Sequence, residues 1–183
     1  MATTYFHIHN ELALRAGKGD SSAQFELYEL YYKAMFTVAV RIVKDSMLAE
    51  ELMQDGFMSA FLKMDKWHQK SSFGAWLKRI VINECLDYLA KKKLDTVSIE
   101  EMQIADTEDE IVDEPEYNVQ EVKQAMKELP QGYRTILSLY LFEGYDHEEI
   151  GEILKISSST SRSQYLRAKK KLIELIKNKA YVG

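Results

Sequence analysis

A run of acidic residues divides this chain into two parts. The 25 residues from 94 to 118 carry ten carboxylates and neither lysine nor arginine, and Pro115 interrupts their weak periodicity. A segment of this composition buries too little apolar surface to fold by itself, which predicts a linker. Fully extended, it would reach up to about 80 Å, so the parts on either side need not touch. We therefore expect two small domains, residues 1–93 and 119–183, joined by an acidic linker at 94–118.

Both parts are predicted to be helical. The whole chain has only two prolines and eight glycines and is rich in residues that favour helices. The first part shows four helical patterns, at about 11–16, from 21 or 22 to 42, from 45 or 46 to about 64, and at 73–93. The expected fold class is all-α, with an N-terminal helical bundle and a C-terminal helix-turn-helix domain.

The helix-turn-helix is predicted from two helical patterns on either side of a tight connection. Asp146 and Glu149 form a capping box ahead of an apolar face that ends at Leu154. A second helix is expected to begin near 159 or 160 and to run toward 177. One side of this second helix is predicted to face the core, at Ser161, Tyr165, Ala168, Leu172 and Ile176. The opposite side is polar and basic, at Thr160, Ser163, Gln164, Arg167, Lys170 and Lys171.

The charge of this second helix favours a nucleic-acid partner. Residues 155–183 contain eight lysines or arginines and one acid, Glu174, although the formal charge of the whole chain is −5. A basic stripe confined to one element is typical of phosphate binding, and hydroxyl, amide and guanidinium groups are those that read base edges in the major groove. The alternative is a solvated helix end, since cations favour helix C-termini. The capped helix and short turn before the basic helix favour DNA binding.

Cysteine and histidine usage argues against a metal site. Cys85 is the only cysteine, and its spacing from apolar neighbours predicts a core thiol rather than a nucleophile. The four histidines are not placed at ligand spacing, so neither a metal nor another cofactor is expected. Without a signal peptide or an apolar run near about 18 residues, the chain is expected to be a soluble, cytoplasmic protein with no membrane span.

The third helical pattern and the turn after it offer two further polar surfaces. The side of the helix away from its apolar face is acidic and polar, at Glu50, Glu51, Gln54, Asp55 and Met58. The turn at 65–72 places Trp67 among lysines and serines. A tryptophan in such a setting is either a stacking platform for bases or a structural residue.

Three segments in order resemble the RNA polymerase sigma factors of the small, two-domain, extracytoplasmic-function (ECF) type within the sigma-70 family. Residues 49–57 resemble the segment that grips the polymerase clamp helices. Residues 73–80, with Asn83 and the segment 87–89, resemble the helix on the minus-ten element. Residues 129–134 and the helix-turn-helix resemble the reader of the minus-thirty-five element. The similarity extends from residue 19 to residue 177 and implies a non-enzymatic factor that directs core polymerase to promoters and assists DNA melting.

The resemblance also implies roles for particular residues. Those expected to contact the clamp helices of the β′ subunit are Glu51, Gln54, Asp55 and Met58. Those expected at the minus-ten element, where the family captures a flipped base and meets upstream duplex, are Lys66, Trp67, His68, Ser71, Ser72, Lys78, Arg79 and Asn83. The acidic linker would thread the RNA exit path. The implied partners are promoter DNA, the β′ clamp helices and the β flap of core polymerase, and an anti-sigma factor as a possible regulator.

The recognition helix departs from the family pattern, which is close to Gly-Thr-Val-Lys-Ser-Arg where this chain has residues 159–164. Ser159 replaces the glycine, and Gln164 replaces an arginine, which favours an amide contact to adenine over guanine. The residues expected at the minus-thirty-five element are Ser159, Thr160, Arg162, Ser163, Gln164, Arg167, Lys170 and Lys171.

Two other classes of function remain as alternatives. A stand-alone helix-turn-helix regulator would bind DNA without polymerase, but it has no need for the polar face at Glu51, Gln54 and Asp55. A helical enzyme or RNA-processing factor would need paired carboxylates in a cleft or a nucleophile beside a base, and the sequence shows neither.

Overall fold

The structure, a computed structural model, describes residues 2–95 and 118–180, and these contain eight α-helices and no strand. The all-α prediction is therefore confirmed. The helices group into two compact units divided after Leu89. The predicted linker lies outside the described residues except for positions 94, 95 and 118.

The N-terminal unit is built from four helices. A single 3-10 turn, Met64–Lys66, follows the third. The helices are α1 (Ala2–Gly17), α2 (Ser21–Val43), α3 (Ser46–Leu62) and α4 (Phe73–Asp95). α2, α3 and α4 begin where the sequence predicts, whereas α1 begins at residue 2 rather than near 11.

Aspartate caps fix where α2 and α3 begin. The carboxylate of Asp20 accepts hydrogen bonds from the backbone N–H groups of Ser22 and Ala23, both at 3.1 Å. Arg15 holds that carboxylate at 2.7 Å, and its hydrogen bond lowers the pKa of Asp20. Asp45 caps α3 in the same way, and Lys44 in the left-handed conformation ends α2 just before it. Each cap satisfies backbone donors that a helix start leaves open.

The core of the N-terminal unit lies between α2, α3 and α4. Its largest fully buried side chains are Leu27, Met35, Ile42, Met53, Phe73, Leu77, Val81 and Ile82. Gly56 on α3 is buried here, and a Cβ added to it would lie 2.6 Å from Val81 Cγ2 and 3.2 Å from Val81 Cα. The close approach of α3 and α4 therefore requires a glycine at this position.

We expect Gly56→Ala to destabilise the fold, although alanine favours helices by about 1 kcal/mol. The added methyl group overpacks the contact with Val81, which costs about 1–3 kcal/mol. Gly132→Ala is the matched control, because a Cβ at Gly132 in the other unit meets nothing within 4 Å. Urea unfolding followed by circular dichroism should show opposite signs for the two variants. Equal stabilisation by both would contradict the packing described here.

The C-terminal unit is formed by α5 to α8. A π-helical turn, Ser138–Phe142, extends the second of these helices. The helices are α5 (Val119–Glu128), α6 (Gln131–Leu137), α7 (His147–Leu154) and α8 (Ser158–Ala180). α8 packs against α5, α6 and α7, so it is the central element of this unit.

The predicted capping box of α7 is confirmed. Asp146 accepts from the backbone N–H groups of Glu148 and Glu149 at 2.8 Å, and Glu149 accepts from the backbone of Asp146 at 2.9 Å. The chain after α7 folds back closely, since a Cβ on Gly151 would lie 2.8 Å from the carbonyl oxygen of Ile156. α7 and α8 are thus joined by the tight connection that a helix-turn-helix needs.

Candidate functional site

An exposed stripe runs along the outer side of α3. Glu51, Gln54 and Asp55 form its middle, and Met47, Met58 and Leu62 extend it, with side chains 84%, 60% and 78% exposed. Their spacing of three and four residues places all six on one side of the helix. We call this set the α3 stripe. Its polar middle and Met58 were predicted from the sequence. Met47 and Leu62 were missed, although each lies four residues from a predicted member.

The polar groups of the α3 stripe have no partner within the described part of the chain. Glu51, Gln54 and Asp55 are all exposed and make no hydrogen bond or ion pair with another described side chain. Two carboxylates and an amide flanked by large apolar side chains resemble a protein interface, in which apolar contacts supply affinity and charges set the register.

The turn between α3 and α4 is organised around Trp67. Its side chain is only 5% exposed, its Nε1–H donates to the carbonyl oxygen of Ser71 at 3.2 Å, and its ring meets Phe73 edge-on at 5.7 Å. These contacts support the interpretation of Trp67 as a residue that holds the turn rather than as a stacking platform for bases. In this conformation the indole has no open face on which a base could stack.

Other side chains of the turn are positioned around this anchor. Lys66, His68 and Ser71 are exposed. Ser72 is half-buried, and its hydroxyl accepts from the backbone of Ala75 at 3.2 Å, which caps α4. Ser72 therefore shapes the start of α4, while the other three present polar groups outward.

Trp76, one turn into α4, is the partly open aromatic at this place. It is half-buried and lies against Trp67, with ring centroids 6.3 Å apart. Helical spacing aligns Trp76 with Arg79 and Asn83 on one side of α4, whereas Lys78 lies on a different side. The structure thus brings together Arg79 and Asn83 but not Lys78.

The two sides of α8 are as predicted. Ser161, Ala168, Leu172 and Ile176 are buried, and Tyr165 is half-buried. The predicted DNA-facing residues that lie exposed are Ser159, Arg162, Ser163, Arg167 and Lys170, and those that lie half-buried are Thr160, Gln164 and Lys171. α8 therefore presents hydroxyl and cationic groups outward while its other side packs on the unit.

Hydrogen bonds hold the first turn of α8. The Ser157 hydroxyl accepts from the backbone of Thr160 at 3.0 Å and lies 2.7 Å from the Thr160 hydroxyl. Ser163 donates to the carbonyl oxygen of Ser159 at 3.1 Å. Serine capping of this kind lets α8 begin at residue 158 without the glycine of the family pattern.

An aromatic cluster that sequence reasoning missed fixes α7 to α8. Tyr140 stacks on His147 at 4.8 Å and lies 4.5 Å from the ring of Tyr165. His147 Nδ1 is 3.0 Å from the buried hydroxyl of Ser161, so this polar group in the core is satisfied. The cluster therefore packs α7 and the π-helical turn against α8.

The single cysteine of the chain, Cys85, is buried in the N-terminal unit. Burial raises the pKa of the Cys85 thiol to about 12, so the neutral thiol is a core group. Among residues 2–95 and 118–180, no three histidine, cysteine or acidic side chains converge as metal ligands would. In the same ranges no helix has the length and hydropathy needed to cross a bilayer.

Comparisons with known proteins match both parts of the chain to sigma-70 family models. The family model for Sigma-70 region 2 matches residues 27–94, and that for Sigma-70, region 4 matches residues 119–172. The ECF RNA polymerase sigma factor SigM of Bacillus subtilis is 30% identical over 151 residues, covering 80% of this chain and 91% of SigM. SigW of the same organism is 28% identical over 169 residues, covering 85% and 89%.

A solved structure supports the same relationship. The sigma factor RpoE of Bartonella quintana, crystallised in complex with the anti-sigma factor NepR, aligns with a TM-score of 0.60 and 27% identity. The alignment covers 83% of this chain and 95% of that one. CnrH, solved in complex with the cytosolic domain of CnrY, has the same fold, with a TM-score of 0.59 and coverage of 93% and 97%.

Proposed function

The chain belongs to the sigma-70 family of RNA polymerase sigma factors, in its ECF group, and we propose which of its surfaces contact core polymerase and which contact promoter DNA. The α3 stripe binds the clamp helices of core polymerase. The turn after α3 and the outer side of α4 engage the minus-ten element, and α8 reads the minus-thirty-five element. The observation that carries this proposal is the α3 stripe, which a DNA-binding protein without a polymerase partner does not need.

The composition of the α3 stripe suits a basic, partly apolar protein partner. Glu51 and Asp55 supply negative charge, and Gln54 supplies an amide that both donates and accepts. Met47, Met58 and Leu62 supply apolar contact area that is otherwise exposed to water. Charge complementarity mainly speeds association and fixes register, while buried apolar area supplies most of the affinity.

Trp76 is proposed as the aromatic that supports the melted minus-ten strand. A flipped base needs a stacking surface and polar groups for its edge. Trp76 is the half-buried indole beside the turn, and His68 and Ser71 are exposed polar residues of that turn. Trp67 supports this arrangement from the core, and Arg79 and Asn83 continue it along α4 toward duplex DNA.

For α8 we propose docking in the major groove with its exposed side. The N-terminal turns of a recognition helix contact base edges, and cations further along contact phosphates. Ser159, Ser163 and Gln164 lie in the first two turns, and Arg167 and Lys170 follow them. Gln164 is half-buried, so its amide reaches the groove from the edge of the contact surface.

Two further partners are proposed, the flap of the β subunit and an anti-sigma factor. Leu141 and Phe142, consecutive exposed apolar residues after α6, are proposed to meet the flap of the β subunit. The complex of the Bartonella sigma factor with an anti-sigma factor supports the proposal that an anti-sigma factor binds this chain as its regulator. We expect the isolated protein to turn over no nucleotides.

Arg167→Ala should weaken promoter binding by the polymerase complex. Removing one phosphate contact should reduce the slope of log affinity against log salt by about 0.9. Lys33→Ala, an exposed lysine on α2 that the proposal leaves away from DNA, is the matched control and should leave the slope unchanged. Measuring promoter affinity between low and moderate salt tests this prediction. An unchanged slope for Arg167→Ala would contradict the proposed docking of α8 on DNA.

Dependence on polymerase separates the proposal from a stand-alone regulator. We expect sequence-specific protection of DNA only when core polymerase is present with the full chain. Footprinting of promoter fragments with the protein alone, with polymerase alone and with both tests this. Specific footprints from the protein alone would favour the stand-alone regulator.

A further inference from the structure

One apolar side chain lies on the basic side of α8. Leu166 is 51% exposed and is the only exposed large apolar residue among the described side chains of this helix. It is not among the residues that the resemblance places on DNA. The buried side of α8, at Ser161, Ala168 and Leu172, faces away from it, so the exposed part of Leu166 is not directed at the core of the unit.

The immediate neighbours of Leu166 on the helix surface are polar. Residues three and four positions away on a helix are surface neighbours, and for Leu166 these are Arg162, Ser163, Lys169 and Lys170. Three cations and a hydroxyl thus surround one branched apolar side chain. Scattered exposed leucines are ordinary on protein surfaces. Leu166 lies beside Ser163 and Lys170, which are proposed to contact DNA, so it meets DNA if α8 docks.

The DNA major groove offers one apolar group to such a residue. Its base edges display acceptors and amino donors, and the C5-methyl group of thymine is the exception. We propose that Leu166 is a specificity residue that packs against the C5-methyl group of a thymine in the minus-thirty-five element. This inference rests on the proposed docking of α8 and adds to it a base that the hydrogen-bonding residues do not select.

The contact predicts a dependence on a single methyl group. Uracil pairs as thymine does but lacks the methyl, so each thymine of the minus-thirty-five element can be replaced singly by uracil in a synthetic promoter duplex. For the polymerase complex with the unaltered protein, one such replacement should weaken binding about fourfold, the effect of exposing one methyl-sized group. In the Leu166→Ala complex the same replacement should have no effect.

Two control variants separate the contact from general effects. Leu166→Met keeps an apolar side chain and should retain preference for thymine over uracil at that position. Leu30→Ala truncates a similarly exposed leucine on α2 and should leave the preference unchanged. Because Leu166 is exposed, Leu166→Ala should keep the helical content and thermal transition of the parent, as circular dichroism would show.

The outcomes distinguish this inference from the proposed function. If no thymine responds to uracil, or the response is the same in Leu166→Ala, the inference is overturned. If Arg167→Ala still lowers the salt slope in that case, α8 docks on DNA and only the role of Leu166 is wrong. If Arg167→Ala also has no effect, the docking of α8 itself fails.

Discussion

Asp55→Lys is expected to lose binding to core RNA polymerase by at least about 30-fold, because the reversed charge replaces attraction to a basic partner with repulsion. Removing one partner of a buried charged contact costs about 2 kcal/mol or more, and placing like charges together costs further free energy. Asp55 is exposed and has no partner among the described residues, so the substitution should leave the fold intact. Competition for core polymerase between labelled parent and unlabelled variant measures the loss.

The matched control for Asp55→Lys is Glu29→Lys. Glu29 is an exposed acid on α2, and its reversal makes the same change in net charge away from the α3 stripe. It should compete as well as the parent protein. Normal competition by Asp55→Lys, with unchanged helical content, would refute the assignment of the α3 stripe to the clamp.

Trp67→Ala should be the most destabilising of the substitutions considered. Truncating a buried aromatic to alanine costs about 3–5 kcal/mol, and the indole also donates a hydrogen bond that holds the turn. Domains of this size have total stabilities of about 5–15 kcal/mol, so a large part of the stability of the N-terminal unit would be lost. Urea unfolding of the full chain followed by circular dichroism gives the value.

Trp76→Ala should weaken DNA binding and leave the fold largely intact, in contrast to Trp67→Ala. Its side chain is half-buried, so the fold should survive, but binding of the polymerase complex to the single non-template strand should fall roughly tenfold, the effect of losing one stacked base. Trp76→Phe should restore much of that binding. If Trp76→Ala binds the single strand normally while Trp67→Phe, a variant that keeps the core filled, does not, the assignment of the two tryptophans is reversed.

Much of the fold could be predicted because local signals agree with packing. Asp45 and Asp146 are short polar caps ahead of apolar periodicity, and both begin helices as predicted. The apolar side of α8 was found by spacing alone, since Ala168 and Leu172 recur at helical intervals and are buried. Such signals are read within one or two turns and need no knowledge of distant contacts.

Features that depend on distant contacts were missed. α1 extends to residue 2 although Thr3, Thr4 and Tyr5 are weak helix formers. Farther along, α1 packs on α2, where the His9 ring lies 2.5 Å from the Tyr31 hydroxyl. Trp67 is more buried than Trp76 because the turn folds the Trp67 indole inward, which no local pattern specifies. The exposure of Met47 and Leu62 was likewise not predicted, since large apolar residues are expected to be buried in the core.

Mapping transcription start sites on genomic DNA with core RNA polymerase, with and without the protein, tests the central claim most directly. The account predicts discrete start sites that appear only with the protein, are lost with Asp55→Lys, and share two upstream elements. Start sites that are the same with and without the protein, or that persist unchanged with Asp55→Lys, would contradict it.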